Sequence, residues 1–281
     1  MEKRQSFWLW LLLLAGGSVL FMVAYALSSV PTAFVNSIPM WAFALLSLLS
    51  AVSVLGLYAL WRRLTEKKWP EDLSLGRLAS HTGAGFGIGI LYFVLVTGCI
   101  ALLGGYRFGA LHWDGKALLT NLMVFLCVGV GEEVLFRGII FRMIDRRWGL
   151  WAALVVSALI FGFVHIMNQN ATVWSSVAIA VEAGLLLGAA YKWSGTLWMP
   201  IGIHWAWNFF QGPVFGFSVS GGERDYSLVQ PVIDGPVWLT GGSFGAEASI
   251  LAFMLGLAVA VVFIAAYLKD RRGLRNPGTS Q

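Results

Sequence analysis

Eight stretches of this chain are apolar for long enough to cross a bilayer, and that confines it to a membrane fold. A hydrocarbon core about 30 Å thick is crossed by roughly 20 apolar residues in helical form. Such runs lie near residues 7–29, 39–61, 82–103, 117–137, 148–167, 172–193, 197–211 and 247–268. With 58% hydrophobic and only 12% charged residues, too little polar surface remains to cover a water-soluble globule. The expected fold is all-α: a polytopic membrane helical bundle of about eight transmembrane helices.

The net charge of +5 is the sum of a lopsided distribution. With the N-terminus placed in the cytosol, the inner segments collect Lys3, Arg4, Arg62, Arg63, Lys67, Lys68, Arg77, Arg137, Arg142, Arg146, Arg147, Lys192, Lys269, Arg271, Arg272 and Arg275. The outer loops keep Arg107, Lys116 and Arg224. Such a bias orients membrane proteins, so both termini are expected in the cytosol. It also explains the basic balance with no nucleic acid as partner. The expected location is the plasma membrane of a prokaryote. Ala24-Tyr25-Ala26 has the form of a signal-peptidase site, but the apolar stretch is longer than a signal core and more spans follow, so the first run reads as an uncleaved span.

The chain is expected to divide into N-terminal helices (1–116), a core that holds most of the polar residues within spans (117–212), an extracytosolic loop (213–246), and a last helix with a cytosolic tail (247–281). The connection over 62–80 reads as solvated or interfacial. The Gly- and Pro-rich segment 212–246 reads as an irregular external cap. Cys99 and Cys127 both fall within spans, which leaves neither a disulfide framework nor a CxxC metal site. Cys127 reads as a small buried hydrophobe rather than a thiol nucleophile.

Three polar patterns interrupt the apolar runs: Glu132-Glu133 with Arg137, Phe161 with His165, and His204 with Asn208. Titratable groups at bilayer depth are costly unless paired or placed in a wet cavity, so they mark function by default. On a helix Glu133 and Arg137 stand four apart with the acid first, the favoured order for an ion pair, while Glu132 is turned about 100° away. Arg137 then neutralises Glu133 and leaves Glu132 free as a general base. From a turn near Trp148-Gly149, Glu132 and His165 each lie about 16 residues out, roughly 24 Å, and so at one depth. From a second turn at Gly195, His204 lies about 14 Å in. Glu182, on a helix that also carries the GxxxG face of Gly184 and Gly188, lies near the same depth. It is expected either to orient His204 or to face the same wet cavity.

Read in order, GEEVLFRG, FGFVH and IGIHWAWN resemble the CPBP intramembrane proteases, which include the type II CAAX prenyl endopeptidases and bacteriocin-processing, lysostaphin-resistance-like and immunity-related proteins. The resemblance covers 121–211, about a third of the chain. It implies that Glu132 with His165 activates the attacking water, that His204 and Asn208 support the oxyanion or bind metal, and that Glu133 and Arg137 accompany them.

The expected chemistry is peptide hydrolysis without a covalent intermediate. Water between Glu132 and His165 loses a proton to the carboxylate, and the oxyanion rests on Asn208 and His204. A zinc ion on Glu132, His165 and His204 is a workable alternative, but HExxH is absent and no obligatory metal is expected. The expected substrate is a membrane-associated peptide or protein, a prenylated one among the candidates, met within the lipid bilayer. The competing reading is a non-catalytic membrane immunity or regulatory binding protein. A transporter would more typically show inverted repeats, which are not evident.

Overall fold

The computed structural model describes residues 6–223 and 225–275. Lys3, Arg4 and Arg224 lie outside the described residues. The helices are α1 (Phe7–Ser28), α2 (Met40–Glu66), α3 (Leu78–Leu102), α4 (Gly115–Glu133), α5 (Arg142–Trp148), α6 (Leu150–Val164), α7 (Val173–Ile179), α8 (Leu186–Ser194), α9 (Trp198–Phe209), α10 (Val237–Thr240) and α11 (Ile250–Arg275). A π-helical turn at Val134–Phe141 joins α4 to α5, another at Ala180–Leu185 joins α7 to α8, and a third at Phe210–Val214 extends α9. The protein is a polytopic helical bundle, as the apolar runs predict. Local chemistry sets the boundaries. The Asp114 side chain accepts from Lys116 N and Ala117 N at the start of α4, and Thr172 and Ser175 cap α7 reciprocally. Gly149 and Gly195 take φ of 86° and 67° at the two expected turns, a backbone that side chains resist.

Among the described residues six helical segments are long and apolar enough to cross a membrane, where the sequence suggests about eight. The remaining two are the rod over 115–148 and α9. Twelve residues give α9 about 18 Å of rise, short of a bilayer core. Its surface is also covered by protein, with Ile201, Ile203, Ala206 and Trp207 all buried. α3 crosses it backbone to backbone. A Cβ on Gly85 would lie 2.3 Å from Met199 O, one on Gly89 2.5 Å from Ile203 O, and one on Gly202 2.4 Å from Thr82 O. α9 is thus enclosed by the other helices, which is what permits its polar residues, while α6 keeps an exposed face with Val155, Leu159 and Phe163.

The start of α1 and the end of α11 lie at the same end of the bundle. Trp10 Nε1 donates to Met143 O, Lys192 pairs with Asp145 at 2.6 Å, and Lys192 also lies over the Tyr267 ring. Most of the described basic residues gather at this end. Arg137 is an exception, since it is buried inside the bundle rather than carried on a loop.

Two connections carry local order beyond their expected character. In the segment 62–80, Asp72 is buried and accepts from the hydroxyls of Tyr58 and Tyr191, both at 2.7 Å, and from Arg62 at 3.1 Å. A carboxylate with three donors anchors one point of a connection whose residues are otherwise mostly exposed, as expected of a solvated one. The segment 213–246 is partly ordered by pairing. β1 (Tyr106–Arg107) and β2 (Val232–Ile233) run antiparallel with Tyr106 opposite Ile233, and Phe217, Leu239 and Phe244 are buried beneath. The last span begins at Ile250, so Glu247 belongs to the cap rather than to the helix.

Candidate active site

Glu132 and Glu133 end α4, where the rod passes into its first π turn, and the two carboxylates face different partners. Glu133 Oε1 lies 2.8 Å from Arg137 Nη1 and 2.8 Å from His204 Nδ1. The Glu133–Arg137 pairing is the one that their spacing predicts. Arg137 also donates from Nη2 to the carbonyls of Ala183 (3.0 Å) and Gly184 (3.2 Å) on the opposing π turn. A π turn breaks the regular carbonyl ladder, and here the exposed carbonyls receive a guanidinium that ties the α4 rod to α7 and α8.

Glu132 stands apart from that pair. Its Oε1 accepts from the Tyr25 hydroxyl at 3.3 Å, and its Oε2 lies 3.9 Å from His204 Nε2. Because Nδ1–H of His204 is given to Glu133, the tautomer is defined and Nε2 is the working nitrogen. Gly131 makes the Tyr25 contact possible, since a Cβ there would lie 2.2 Å from the phenol ring.

His165 follows the last turn of α6, and its Nδ1 donates to Phe161 O at 2.7 Å, which directs Nε2 away from its own helix. The Phe161 ring packs against both imidazoles, with centroids 4.9 Å from His165 and 6.2 Å from His204, and the Arg137 guanidinium lies 4.5 Å over its face. Gly162 lets α6 approach α7, a Cβ there falling 2.3 Å from Ser176 O. His165, His204 and Asn208 line one narrow cavity with Phe161, Trp207, Ser220 and Glu247. Its volume of about 20 Å³ has room for about one water molecule. Glu132 meets the cluster through His204 rather than as part of that lining.

Glu182 takes neither expected place. It is fully buried, its Oε2 accepts from the Tyr92 hydroxyl at 3.3 Å, and α11 packs on its backbone at Gly256. Glu133 is the carboxylate that holds His204. Equal depth on a regular helix suggested otherwise, but Glu182 sits within a π turn, where 3.6-residue periodicity no longer assigns faces. Gly184 does pack as expected, its Cβ position 2.8 Å from Ala158 Cα. Cys127 donates to Ser47 O at 3.3 Å and does not line the cavity.

The zinc alternative does not fit these positions. Among the described residues no group of three or more His, Cys, Asp or Glu is gathered closely enough to hold a metal ion. Two residues of the site escape a reading by charge pattern. Tyr25 lies in the first span, which carries no charged residue, and Glu247 is an isolated acid before the last apolar run.

Residues 113–210 match the model of the Rce1-like family, described as type II CAAX prenyl endopeptidase Rce1-like. The match covers the region in which the three motifs resemble the CPBP proteases. An uncharacterized 24.3 kDa protein of Escherichia coli is 30% identical over 89 residues, 31% of this chain and 40% of its own length. The uncharacterized protein YpbD of Bacillus subtilis (strain 168) is 31% identical over 83 residues, 30% of this chain and 39% of its own. The chain thus spans about two fifths of the length of the curated relatives it matches. No solved structure matches it.

Proposed function

We propose that this protein is an intramembrane endopeptidase in which Glu132 is the general base for an attacking water. The observation that carries this reading is the 3.9 Å approach of Glu132 Oε2 to His204 Nε2, with the far side of that imidazole held by the Glu133–Arg137 pair. A general base must have a carboxylate oxygen within reach of the water it deprotonates. Arg137 is taken up by Glu133, and Glu132 keeps Oε2 turned toward His204. The family match over 113–210 supports proteolysis as the reaction class.

In the proposed reaction Glu132 takes one proton from water, and the hydroxide oxygen adds to a peptide carbonyl. The oxyanion is met by the Asn208 amide and by Nε2–H of a His204 ring that carries both its protons, Nδ1–H staying on Glu133, with His165 on the wall of the same cavity. Glu132 then returns the proton to the departing amine as the C–N bond breaks. Phe161, held under Arg137, keeps the two rings apart. The substrate is proposed to be a membrane-associated peptide, a prenylated C-terminal segment being the candidate the family suggests. The arginine- and lysine-rich end is proposed to be the cytosolic one.

The test compares membrane proteomes of cells carrying the wild-type chain or Glu132→Gln. New peptide termini that depend on wild-type protein and vanish in the variant, while both proteins unfold at the same temperature, support the enzyme. Identical peptides with an unchanged phenotype favour the binding-protein alternative.

A further inference from the structure

The cavity at the motif residues has room for about one water molecule. A peptide is far larger, so part of the wall has to move before a substrate reaches Asn208. Most of that wall is helical and tightly held. α6 meets α7 at Gly162, α3 and α9 cross at Gly85, Gly89 and Gly202, and Arg137 ties the turn between α7 and α8 to the α4 rod. Among the described lining residues, Ser220 is the one that lies outside every helix.

Ser220 belongs to the run 218–222, in which Val219 is the only apolar side chain among serines and glycines. The run starts beside an anchored ring, since Phe217 stacks on Tyr106 with centroids 5.2 Å apart. The ties along it are polar. Gln211 Nε2 donates to Ser218 O at 2.6 Å, Asn168 Nδ2 to Ser220 O at 3.0 Å and Asn170 Nδ2 to Gly221 O at 3.2 Å, while Gly221 N donates to Phe244 O at 2.8 Å. Ser220 N donates to Oε1 of Glu247, a buried carboxylate that itself lines the cavity. A segment held by hydrogen bonds over little apolar surface opens more readily than a packed helix. Ser220 also holds a left-handed backbone, φ 48°, which costs a side-chain-bearing residue free energy and favours release. Gly216 and Gly222 on either side can absorb the rotation that lifting needs.

We propose that 218–222 is a strap that closes the catalytic cavity, that Glu247 is its latch, and that the strap lifts to admit the peptide to be cleaved. Glu247 is thus a positioning residue, acting on the cavity through the backbone of Ser220. Lifting also frees groups suited to the incoming chain. Gln211, Asn168 and Asn170 all donate to main-chain carbonyls of the strap, and the same amides can donate to the carbonyls of a substrate laid in its place. Such contacts select an extended backbone rather than a particular side chain. The strap's role as substrate gate rests on the hydrolytic reading, whereas its opening does not.

The experiment follows alkylation by N-ethylmaleimide of a thiol set in the cavity wall by Ile179→Cys, in the full-length protein with Cys99 and Cys127 replaced by Ala. Labelling of a covered thiol follows the population of the open form. Glu247→Ala should speed it about tenfold, as expected for one lost hydrogen bond to a charged acceptor. Glu247→Gln, whose amide carbonyl still accepts from Ser220 N, should restore slow labelling. Gly221→Ala, whose Cβ collides with Gln169 O in the closed strap, should also speed labelling, and it decides if Glu247→Ala does not fold. A thiol introduced instead by Ala153→Cys, fully buried near the start of α6, reports general loosening. The proposal is overturned if the folded variant leaves the rate at position 179 unchanged, or if position 153 quickens equally. For a peptide whose cleavage depends on Glu132, kcat/KM should rise with the open population, and faster labelling without faster cleavage overturns the gating role. Labelling as expected in a protein that cleaves nothing supports the strap and overturns the hydrolytic reading alone.

Discussion

Nδ1 of His204 lies 2.8 Å from Oε1 of Glu133, and that same oxygen is 2.8 Å from Nη1 of Arg137. One carboxylate thus fixes the tautomer of an imidazole and neutralises a buried guanidinium. Its sequence neighbour, Glu132, is left facing the other ring nitrogen.

Removing the two acids one at a time should separate folding from turnover. Glu133→Gln leaves Arg137 buried without its counter-charge, and loss of one member of a buried pair costs about 3–5 kcal/mol. Thermal unfolding in detergent should show a large fall for this variant. Glu132→Gln should unfold near the wild-type temperature yet lose about 10²- to 10⁴-fold in peptide hydrolysis. Equal stability of the two variants would falsify this division of labour.

Tyr25→Phe deletes the hydroxyl that donates to Glu132 Oε1. Loss of one such bond is expected to cost about 1 kcal/mol of stability and to reduce kcat by about three- to tenfold. Gly131→Ala should reduce kcat further, because its Cβ collides with the ring and displaces the phenol altogether. A Gly131→Ala enzyme more active than Tyr25→Phe would contradict the contact.

The crossing of α3 and α9 depends on absent side chains. Gly85→Val and Gly89→Val should each cost about 1–3 kcal/mol or more through forced separation of the backbones, read as a lower Tm. Gly83→Ala and Gly87→Ala on the same helix meet nothing within 4 Å and serve as neutral comparisons. If all four substitutions shift Tm alike, close approach is not what the glycines provide.

Burial pushes the Glu247 carboxyl up from 4.5 to about 7. Below pH 4.5 the group is protonated in both folded and unfolded chains and has no effect on stability. Between about 4.5 and 7 the unfolded chain releases its proton while the folded chain keeps it, so stability falls as pH rises, by about 3 kcal/mol in total. Above pH 7 the contribution is level. Tm measured from pH 4.5 to 8 should carry this decline, and Glu247→Gln should flatten it. An unchanged slope in the variant assigns the decline to other groups.

Membrane residence, helical class and the polar motifs were all legible along the chain, because bilayer thickness and helical rise convert residue counts into depth. The Gly149 and Gly195 turns and the Glu133–Arg137 pair were legible too, since each depends on neighbours within a few residues. Which carboxylate holds His204 was not. Glu133 and Glu182 are the same residue type and lie at similar depth, and the choice between them turns on how the π turns at 134–141 and 180–185 rotate the helix faces.

Tyr25 and Glu247 were hidden for a related reason. Each joins segments far apart in the chain, as the 107-residue separation of Tyr25 from Glu132 shows. Local periodicity reports which side of a helix is apolar and how far along it a residue sits. Partners across the bundle are chosen by crossing angles and by the close backbone approaches that Gly85, Gly89, Gly162 and Gly202 allow, and these exist only once the helices have packed.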